Sequence, residues 1–283
     1  MIPAAFDYVR AGSVDEALSA LSQHGDDAKV IAGGQSLIPL LRLRLAYPEV
    51  LVDVGRVAEL RGVREDGDHL VIGAMTTHYE VLKDPLIREH AGLIAEATAT
   101  VADPAVRHRG TFGGALAHAD PASDLPAVAC ALGAEFVIAG SGGRRTVPAA
   151  QFFLDYLQTA IEPDELLVEV RVPKLGPGWG YRYEKFHRVA QSWAIVGVAA
   201  AVRRDNGTIA EARVALTNMG STPVRASGVE ESVAGAAPDA VAAAADRAAE
   251  GTSPASDLNG RADYRQHLAR VLTRRALTAA AWG

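Results

Sequence analysis

The sequence contains one cysteine in 283 residues. A disulfide within the chain is therefore excluded, and so is an iron–sulfur cluster held by this chain alone, because such clusters need several thiolates. The single thiol, Cys130, lies in the apolar run of residues 125–132, which predicts a small buried side chain. The chain thus offers no thiolate cofactor site of its own.

Lysine is also rare, and the net charge is −6. Affinity for nucleic acid comes from clustered lysine and arginine, so this balance argues against a nucleic-acid partner. No uninterrupted apolar run approaches the roughly 18 residues of a membrane span, and the first ten residues, which include Asp7 and Arg10, contain no apolar signal core. We expect a cytoplasmic protein without a membrane span.

Metal and hydrolase signatures are missing as well. The eight histidines are scattered, without a His-x-x-x-His pair or a His/Cys cluster, so no metal site is expected. Gly-x-Ser-x-Gly is absent, and no Ser-His-Asp arrangement can be argued. No catalytic residue can be assigned from the sequence.

Two glycine-rich turns are the most informative features that are present. The first, residues 32–37 (Ala-Gly-Gly-Gln-Ser-Leu), follows a predicted strand and precedes a predicted helix. It has neither the G-x-G-x-x-G spacing of a Rossmann turn nor the Gly-Lys-Ser/Thr of a Walker loop. A tight turn without a ligand is one interpretation. A diphosphate site is the other, because glycine exposes backbone N–H groups and Gln35 and Ser36 add side-chain donors.

The second turn covers residues 111–115 (Thr-Phe-Gly-Gly-Ala) and is preceded by Arg107 and Arg109. His118, Ser123 and Asp124 follow at a spacing that can keep them near one ligand. Asp124 can accept a hydrogen bond from a sugar or ribityl hydroxyl, whereas helix capping is an equal alternative for Asp120. Two such turns, about eighty residues apart, predict one large diphosphate ligand held from two sides.

Local patterns also predict the elements and the domains. A capping box at Ser13 starts a helix that Gly25 ends, and Asn206-Gly207 predicts a hairpin. The predicted strands are 29–32, 50–54, 69–75, 135–139, 166–172, 193–204 and 208–217, and the predicted helices are 36–45, 77–82, 86–101, 121–132, 237–250 and 262–281. Prolines and glycines in 173–180 separate a domain at 1–175, with subdomains of about 1–57 and 58–175, from a domain at 176–283.

The segment at residues 183–193 opens the second predicted domain. Lys185 can stabilise negative charge on a reduced cofactor ring, and Trp193 can cover a ring face. The residues alone also allow a plainer interpretation, in which Lys185 is a solvated charge and Trp193 is the buried start of a strand.

Taken together, these motifs resemble the FAD-binding medium subunits of molybdenum hydroxylases, the family of the xanthine and carbon monoxide dehydrogenases. The resemblance rests on both glycine turns, on residues 117–126 after the second turn, on Phe6-Asp7-Tyr8 and on Lys185-Phe186-His187-Arg188 leading to Trp193, and it spans essentially the whole chain. The chain departs from the family at Ser192, where many relatives carry an acid, at Ala115, where serine is usual, and at Phe112, which replaces a smaller aliphatic residue.

The resemblance implies an α+β fold. It consists of a two-part FAD-binding domain of the vanillyl-alcohol-oxidase (PCMH) type, followed by a small α+β domain with a three-stranded antiparallel sheet. It also implies non-covalent FAD and no metal. The implied FAD-binding residues are Val30, Ile31, Ala32, Gly33, Gly34, Gln35, Ser36, Leu37, Val101, Ala102, Thr111, Gly113, Gly114, Ala115, His118, Ser123, Asp124, Leu167, Lys185 and Trp193.

The function implied is electron transfer within a complex. A large molybdopterin-binding subunit and a small 2Fe-2S subunit would complete a heterotrimer, which dimerises, and the FAD would pass electrons to an external acceptor. Two other classes stay open at this point. One is a stand-alone flavin oxidase or dehydrogenase acting on a small organic substrate, and the other is a nucleotide-binding or assembly protein without a redox role.

Overall fold

The computed structural model describes residues 2–237 and 240–282. Its strands are β1 (Asp7–Arg10), β2 (Ala28–Ile31), β3 (Val50–Asp53), β4 (Val63–Asp66), β5 (His69–Gly73), β6 (Glu135–Gly140), β7 (Gly143–Pro148), β8 (Phe153–Asp155), β9 (Gln158–Thr159), β10 (Leu166–Pro173), β11 (Trp179–Phe186), β12 (Val196–Asp205), β13 (Thr208–Thr217) and β14 (Val224–Arg225). Its α-helices are α1 (Val14–His24), α2 (Leu37–Leu43), α3 (His78–Lys83), α4 (Pro85–His90), α5 (Gly92–Ala99), α6 (Pro104–Arg107), α7 (Phe112–His118), α8 (Asp124–Leu132), α9 (Ala149–Phe152), α10 (Ser227–Val233), α11 (Val241–Ala244) and α12 (Ala262–Trp282). Across 2–237 and 240–282, no helix combines the length and hydrophobicity that crossing a bilayer requires.

A small parallel sheet begins the chain, with strand order β1-β3-β2. Helix α1 packs on this sheet through Val14, Ala17 and Leu21. The predicted caps are confirmed: the Ser13 hydroxyl accepts a hydrogen bond from the Glu16 N–H, and the helix ends at Gly25, whose φ is +53° and whose N–H donates to the carbonyl oxygen of Leu21. The first glycine turn follows β2 directly, so this sheet fixes its position.

A second, antiparallel sheet has the order β4-β5-β10-β6-β7. Its central strand β10 is mostly apolar, and the apolar residues on both of its faces are buried, whereas Glu169 and Arg171 are partly exposed. Leu166 and Val168 contact the core shared with α1, whereas Leu167 and Val170 contact the core beneath α8. The two N-terminal sheets therefore pack on each other through one face of β10, and helices cover the other face.

The C-terminal sheet is antiparallel with the order β11-β12-β13-β14. Helix α12 packs on one face and α8 on the other. Asn206 and Gly207 have φ of 48° and 83°, which confirms the hairpin turn. The expectation of three strands needs a correction, because the two-residue strand β14 adds a fourth at the edge beside β13.

Other elements differ from the predictions where tertiary packing decides the structure. The predicted helix 86–101 is two helices, α4 and α5, which are separated at Ala91 (φ −147°). A Cβ on Gly92 would lie 1.9 Å from the hydroxyl oxygen of Tyr181, so the second helix begins where the C-terminal sheet approaches. The predicted strand at 193–204 begins only at Val196. Strand β11 lies partly in the predicted linker 173–180 and was not predicted.

The predicted helix 237–250 is also broken. Residues 238–239 lie outside the described residues, and a short 3-10 helix, Ala245–Ala249, follows α11. The expectation for Cys130 is confirmed, since its side chain is buried and burial raises the pKa of its thiol to about 12. The thiol therefore stays protonated and unreactive near neutral pH.

Candidate functional site

The two glycine turns meet in the folded chain. A Cβ placed on Gly33 would lie 2.1 Å from the carbonyl oxygen of Arg109 and 2.8 Å from Cα of Gly110. Only glycine permits this approach, because the backbones of the two turns are in direct contact there. The first turn also needs glycine at Gly34, where φ is +73°. Turns that are distant in sequence thus form one wall.

This wall lines a cavity of about 1120 Å³. All of the predicted FAD-binding residues except Ile31 line it, including the more distant Val101, Ala102 and Leu167. Ile31 is the last residue of β2, and its side chain does not belong to the lining. The volume is slightly above the roughly 300–1,000 Å³ of typical small-molecule sites, which leaves room for a long dinucleotide.

The first turn presents free backbone donors. Within the described residues, the N–H groups of Gly33, Gly34, Gln35 and Ser36 have no hydrogen-bond acceptor in the protein. The Gln35 side chain donates to the carbonyl oxygen of Gly33 at 3.2 Å, which braces the turn from within. A row of unpaired N–H groups in a glycine turn is an anion site, so this turn fits a diphosphate.

The first backbone donors of the second turn, unlike those of the first turn, are bonded within the protein. The N–H of Phe112 donates to the carbonyl oxygen of Thr76 at 2.8 Å, and that of Gly113 donates to Ala74 at 2.9 Å. The Gly114 N–H donates to the Thr111 hydroxyl at 3.1 Å. These groups fasten α7 to the end of β5. The second turn therefore supplies a close-packed surface to the cavity, and its first donors are engaged within the protein.

A buried ion pair also belongs to the cavity lining. Lys185 Nζ on β11 is 2.8 Å from Asp124 Oδ2 at the start of α8, and their side chains are 3% and 4% exposed. The lysine also donates to the carbonyl oxygen of Thr100 at 3.0 Å. Of the two interpretations of Lys185, the solvated charge is therefore wrong.

The other carboxylate oxygen of Asp124 is engaged as well. The buried Tyr183 hydroxyl donates to Asp124 Oδ1 at 2.7 Å and lies 3.3 Å from the Thr217 hydroxyl. Burial raises the pKa of Asp124, whereas the charge and hydrogen bond of Lys185 oppose that rise. We take the pair as ionic because two donors hold the carboxylate. Asp120, by contrast, accepts from the N–H of Ala122 at 2.8 Å and braces a turn.

Trp193 lines the cavity and is partly exposed. Its side chain is 52% exposed and lies before β12, so the interpretation as a buried strand residue is wrong. Ser192, the departure from the family pattern, lines the same region. A half-exposed indole beside the cavity has a free face on which an aromatic ring can stack.

Other lining residues were not predicted from the sequence. His78 is 4% exposed and lies against the second turn, with Cδ2 2.9 Å from the position of a Cβ on Gly110. Its Nδ1 atom is buried without a hydrogen-bond partner among the described residues. Leu154 and Leu157 of the β8–β9 hairpin form another part of the lining. The capping box Thr77-x-x-Glu80 predicts the start of α3, but it gives no indication that His78 lines the cavity.

The structure also defines the surroundings of Arg107 and His118. The Arg107 guanidinium donates to the carbonyl oxygens of Val101 and Ala102, at 2.8 and 3.3 Å, so it holds that loop against α6. Burial lowers the pKa of His118, which makes its imidazole neutral near pH 7. Within the described residues, no group of three or more His, Cys, Asp or Glu side chains is placed to hold a metal ion.

His78 should make the folded state acid-sensitive. Burial, and secondly the charge of Arg107, lowers its pKa to about 4, whereas the unfolded value is near 6.5. Between these values the unfolded chain binds a proton that the folded chain does not, so stability falls as the pH drops from 6.5 to 4. The expected loss through this group is about 3 kcal/mol at the acid limit.

Urea unfolding of the wild type and of His78→Gln at pH 7 and pH 4.5 measures this contribution. The variant should lose less stability on acidification than the wild type, and His267→Gln, at an exposed position, should behave as the wild type does. Equal acid sensitivity of wild type and His78→Gln would contradict the assignment.

Comparisons with known proteins agree with this site. Residues 4–175 match the family described as "FAD binding domain in molybdopterin dehydrogenase". Residues 181–280 match the family described as "CO dehydrogenase flavoprotein C-terminal domain". The carbon monoxide dehydrogenase medium chain of Hydrogenophaga pseudoflava is 46% identical, over 99% of this chain and 98% of that one. The 6-hydroxypseudooxynicotine dehydrogenase complex subunit alpha of Paenarthrobacter nicotinovorans is 39% identical, over 99% and 96%.

Solved structures show the same likeness. Carbon monoxide dehydrogenase from Hydrogenophaga pseudoflava superposes with a TM-score of 0.97 at 47% identity, covering 99% of this chain and 98% of that one. Quinoline 2-oxidoreductase from Pseudomonas putida 86 gives 0.94 at 36% identity, with coverage of 99% and 98%. The chain therefore belongs to the FAD-binding subunits of the molybdopterin dehydrogenases, as the residues of its two glycine turns predict.

Proposed function

We propose that this chain is the FAD-binding electron-transfer subunit of a molybdenum hydroxylase. The observation that carries the proposal is the meeting of the two glycine turns, at Gly33 and Arg109, on one large cavity with free backbone donors. When bound there, FAD accepts electrons from one partner and delivers them to another. The protein supplies binding, orientation and the local charge.

The lining suggests where each part of the cofactor lies. The unpaired N–H groups at residues 33–36 suit the diphosphate, and the second turn would complete the wall beside them. Lys185 and Trp193 suit the ring, because one is a cation and the other an aromatic surface. The remaining predicted contacts are Val30, Ala32, Leu37, Val101, Ala102, Thr111, Gly113, Gly114, Ala115, His118, Ser123, Asp124 and Leu167, and Ile31 would contribute only through its backbone.

Partner chains are part of the proposal. The relatives are named as a medium chain and as a subunit of a complex, and a single buried cysteine leaves no ligands for an iron–sulfur cluster here. A large molybdopterin-binding subunit would oxidise the substrate, and a small 2Fe-2S subunit would deliver the electrons. The two relatives are named for different substrates. Similarity of this chain to them therefore does not identify the substrate of its own complex.

The finer fold assignment is also a proposal. A two-part FAD-binding domain of the vanillyl-alcohol-oxidase type is supported by the separate parallel and antiparallel sheets, which divide near residue 57. The second domain, 176–283, is supported by its own sheet and by the start of the second family match at residue 181. The first match ends at residue 175, where the sequence predicts the boundary.

The ionisable groups of the cavity favour electron transfer over direct oxidation of an organic substrate. Asp124 is held by Lys185 and Tyr183, and burial lowers the pKa of both His78 and His118. A base that removes a substrate proton should be free and titrate near the working pH. These five groups are arranged to bind and orient.

The test is expression of the chain alone and together with candidate partner subunits. We expect a yellow chain with a flavin absorbance spectrum that releases FAD on denaturation, because binding is non-covalent. Its flavin should stay oxidised with substrate alone and become reduced only when both partners are present. A colourless, correctly folded chain supplied with FAD would refute the proposal, and reduction by substrate without partners would favour a stand-alone dehydrogenase.

A further inference from the structure

Tyr183 connects the C-terminal sheet to the buried ion pair of Lys185 and Asp124. It lies on β11, is 5% exposed, and donates its hydroxyl to Asp124 Oδ1 on α8 at 2.7 Å. Its backbone N–H donates to Glu96 Oε2 at 2.9 Å, which fixes the start of the side chain. A Cβ on Gly197 would lie 2.5 Å from the hydroxyl oxygen, so glycine on the neighbouring strand makes room for it.

The hydroxyl acts on a carboxylate that has little other support. Within the described residues, the side-chain oxygens of Asp124 accept only from Tyr183 and Lys185. The charged and titratable groups that act on the carboxylate are these two and His187. Since burial favours the protonated acid, each donor that is removed makes proton uptake easier. An ionised Asp124 cancels the charge of Lys185, and a protonated one leaves that charge uncompensated.

We propose that Tyr183 is a positioning residue that keeps Asp124 ionised and so sets the net charge that Lys185 presents to the cofactor. The inference rests on the proposed function, because the cofactor is the FAD assigned to this cavity. Tyr183 acts directly on the carboxylate of Asp124, and the protonation of that carboxylate can be measured with or without FAD.

The proposal predicts the direction of a change in reduction potential. Two-electron reduction with uptake of one proton leaves one negative charge on a bound flavin ring. Without the Tyr183 hydroxyl, Asp124 takes up a proton more readily, and Lys185 then acts as an uncompensated cation. A net positive charge favours the reduced form, so the potential should rise.

Tyr183→Phe in the FAD-loaded protein tests this direction. We expect a midpoint potential more positive than that of the wild type, with the largest difference at pH values between the pKa of Asp124 in the wild type and its higher pKa in the variant. Tyr181→Phe is the matched control, since it removes a hydroxyl two residues away on the same strand and should leave the potential unchanged. Asp124→Asn should raise the potential as well, and adding Tyr183→Phe to it should produce no further rise.

A second measurement does not depend on FAD. In the cofactor-free protein, infrared difference spectroscopy of Tyr183→Phe should show a protonated-carboxyl band at a higher pH than in the wild type, and Asp124→Asn should remove that band. An unchanged or lowered potential in Tyr183→Phe, or an unchanged carboxyl titration, would overturn the inference. Failure of the wild type to bind FAD would refute the proposed function instead, while the infrared result still decides the role of Tyr183.

Discussion

Replacing Lys185 with methionine is expected to lower the free energy of unfolding by about 3–5 kcal/mol. The lysine is the cation of a buried pair, 2.8 Å from Asp124. Its removal leaves a carboxylate in a nonpolar environment with only the Tyr183 hydroxyl as a donor. The desolvation cost of that uncompensated charge dominates, and urea unfolding of the cofactor-free protein measures it.

Two variants separate this cost from the loss of an ordinary ion pair. Lys174→Met removes a more exposed pair with Glu65 and should cost less than about 1 kcal/mol. Adding Asp124→Asn to Lys185→Met removes the stranded charge and should restore most of the stability. If Lys185→Met were no more destabilising than Lys174→Met, the buried pair would not have the energetic role assigned to it.

Gly33→Ala is expected to weaken FAD binding about 30- to 100-fold, the equivalent of about 2–3 kcal/mol of strain. The added methyl would lie 2.1 Å from the carbonyl oxygen of Arg109, and backbone cannot rotate away as a flexible side chain does. The two turns must separate, and the donors at residues 33–36 move relative to the rest of the cavity. Titration of the cofactor-free protein with FAD, followed by flavin fluorescence, gives the ratio of dissociation constants.

Gly176→Ala is the matched control for this prediction. A Cβ at Gly176 would meet no atom within 4 Å, so the variant should bind FAD as the wild type does. Far-ultraviolet circular dichroism of both variants shows whether the sheets and helices persist. Wild-type affinity in a folded Gly33→Ala variant would mean that close contact between the turns is not needed for binding.

The elements with strong local signals could be predicted from the sequence. A capping box, an Asn-Gly turn and a terminal glycine each determine the backbone through contacts within a few residues. Helix α1 and the β12–β13 hairpin therefore lie where they were expected. The two glycine turns were also recognisable, because close backbone approach is a requirement that only one residue type meets.

Contacts between residues that are distant in sequence could not be predicted. Lys185 and Asp124 are 61 residues apart, and no local pattern states that a lysine will be buried against that acid. Strand β11 mixes charged and aromatic residues, and its place is set by α12 and β12. His78 is likewise buried beside Gly110, 32 residues further along the chain. In each case the decisive contact exists only in the assembled chain.

The contact between Gly33 and Arg109 has a consequence for the order of events during synthesis. The cavity wall includes residues from Leu21 to Trp193, so residues 1–57 alone supply only part of it. A nascent chain can bind its dinucleotide through all of these residues only after more than half of its length has left the ribosome. We therefore expect FAD to bind late in synthesis, after the segment up to Trp193 is available.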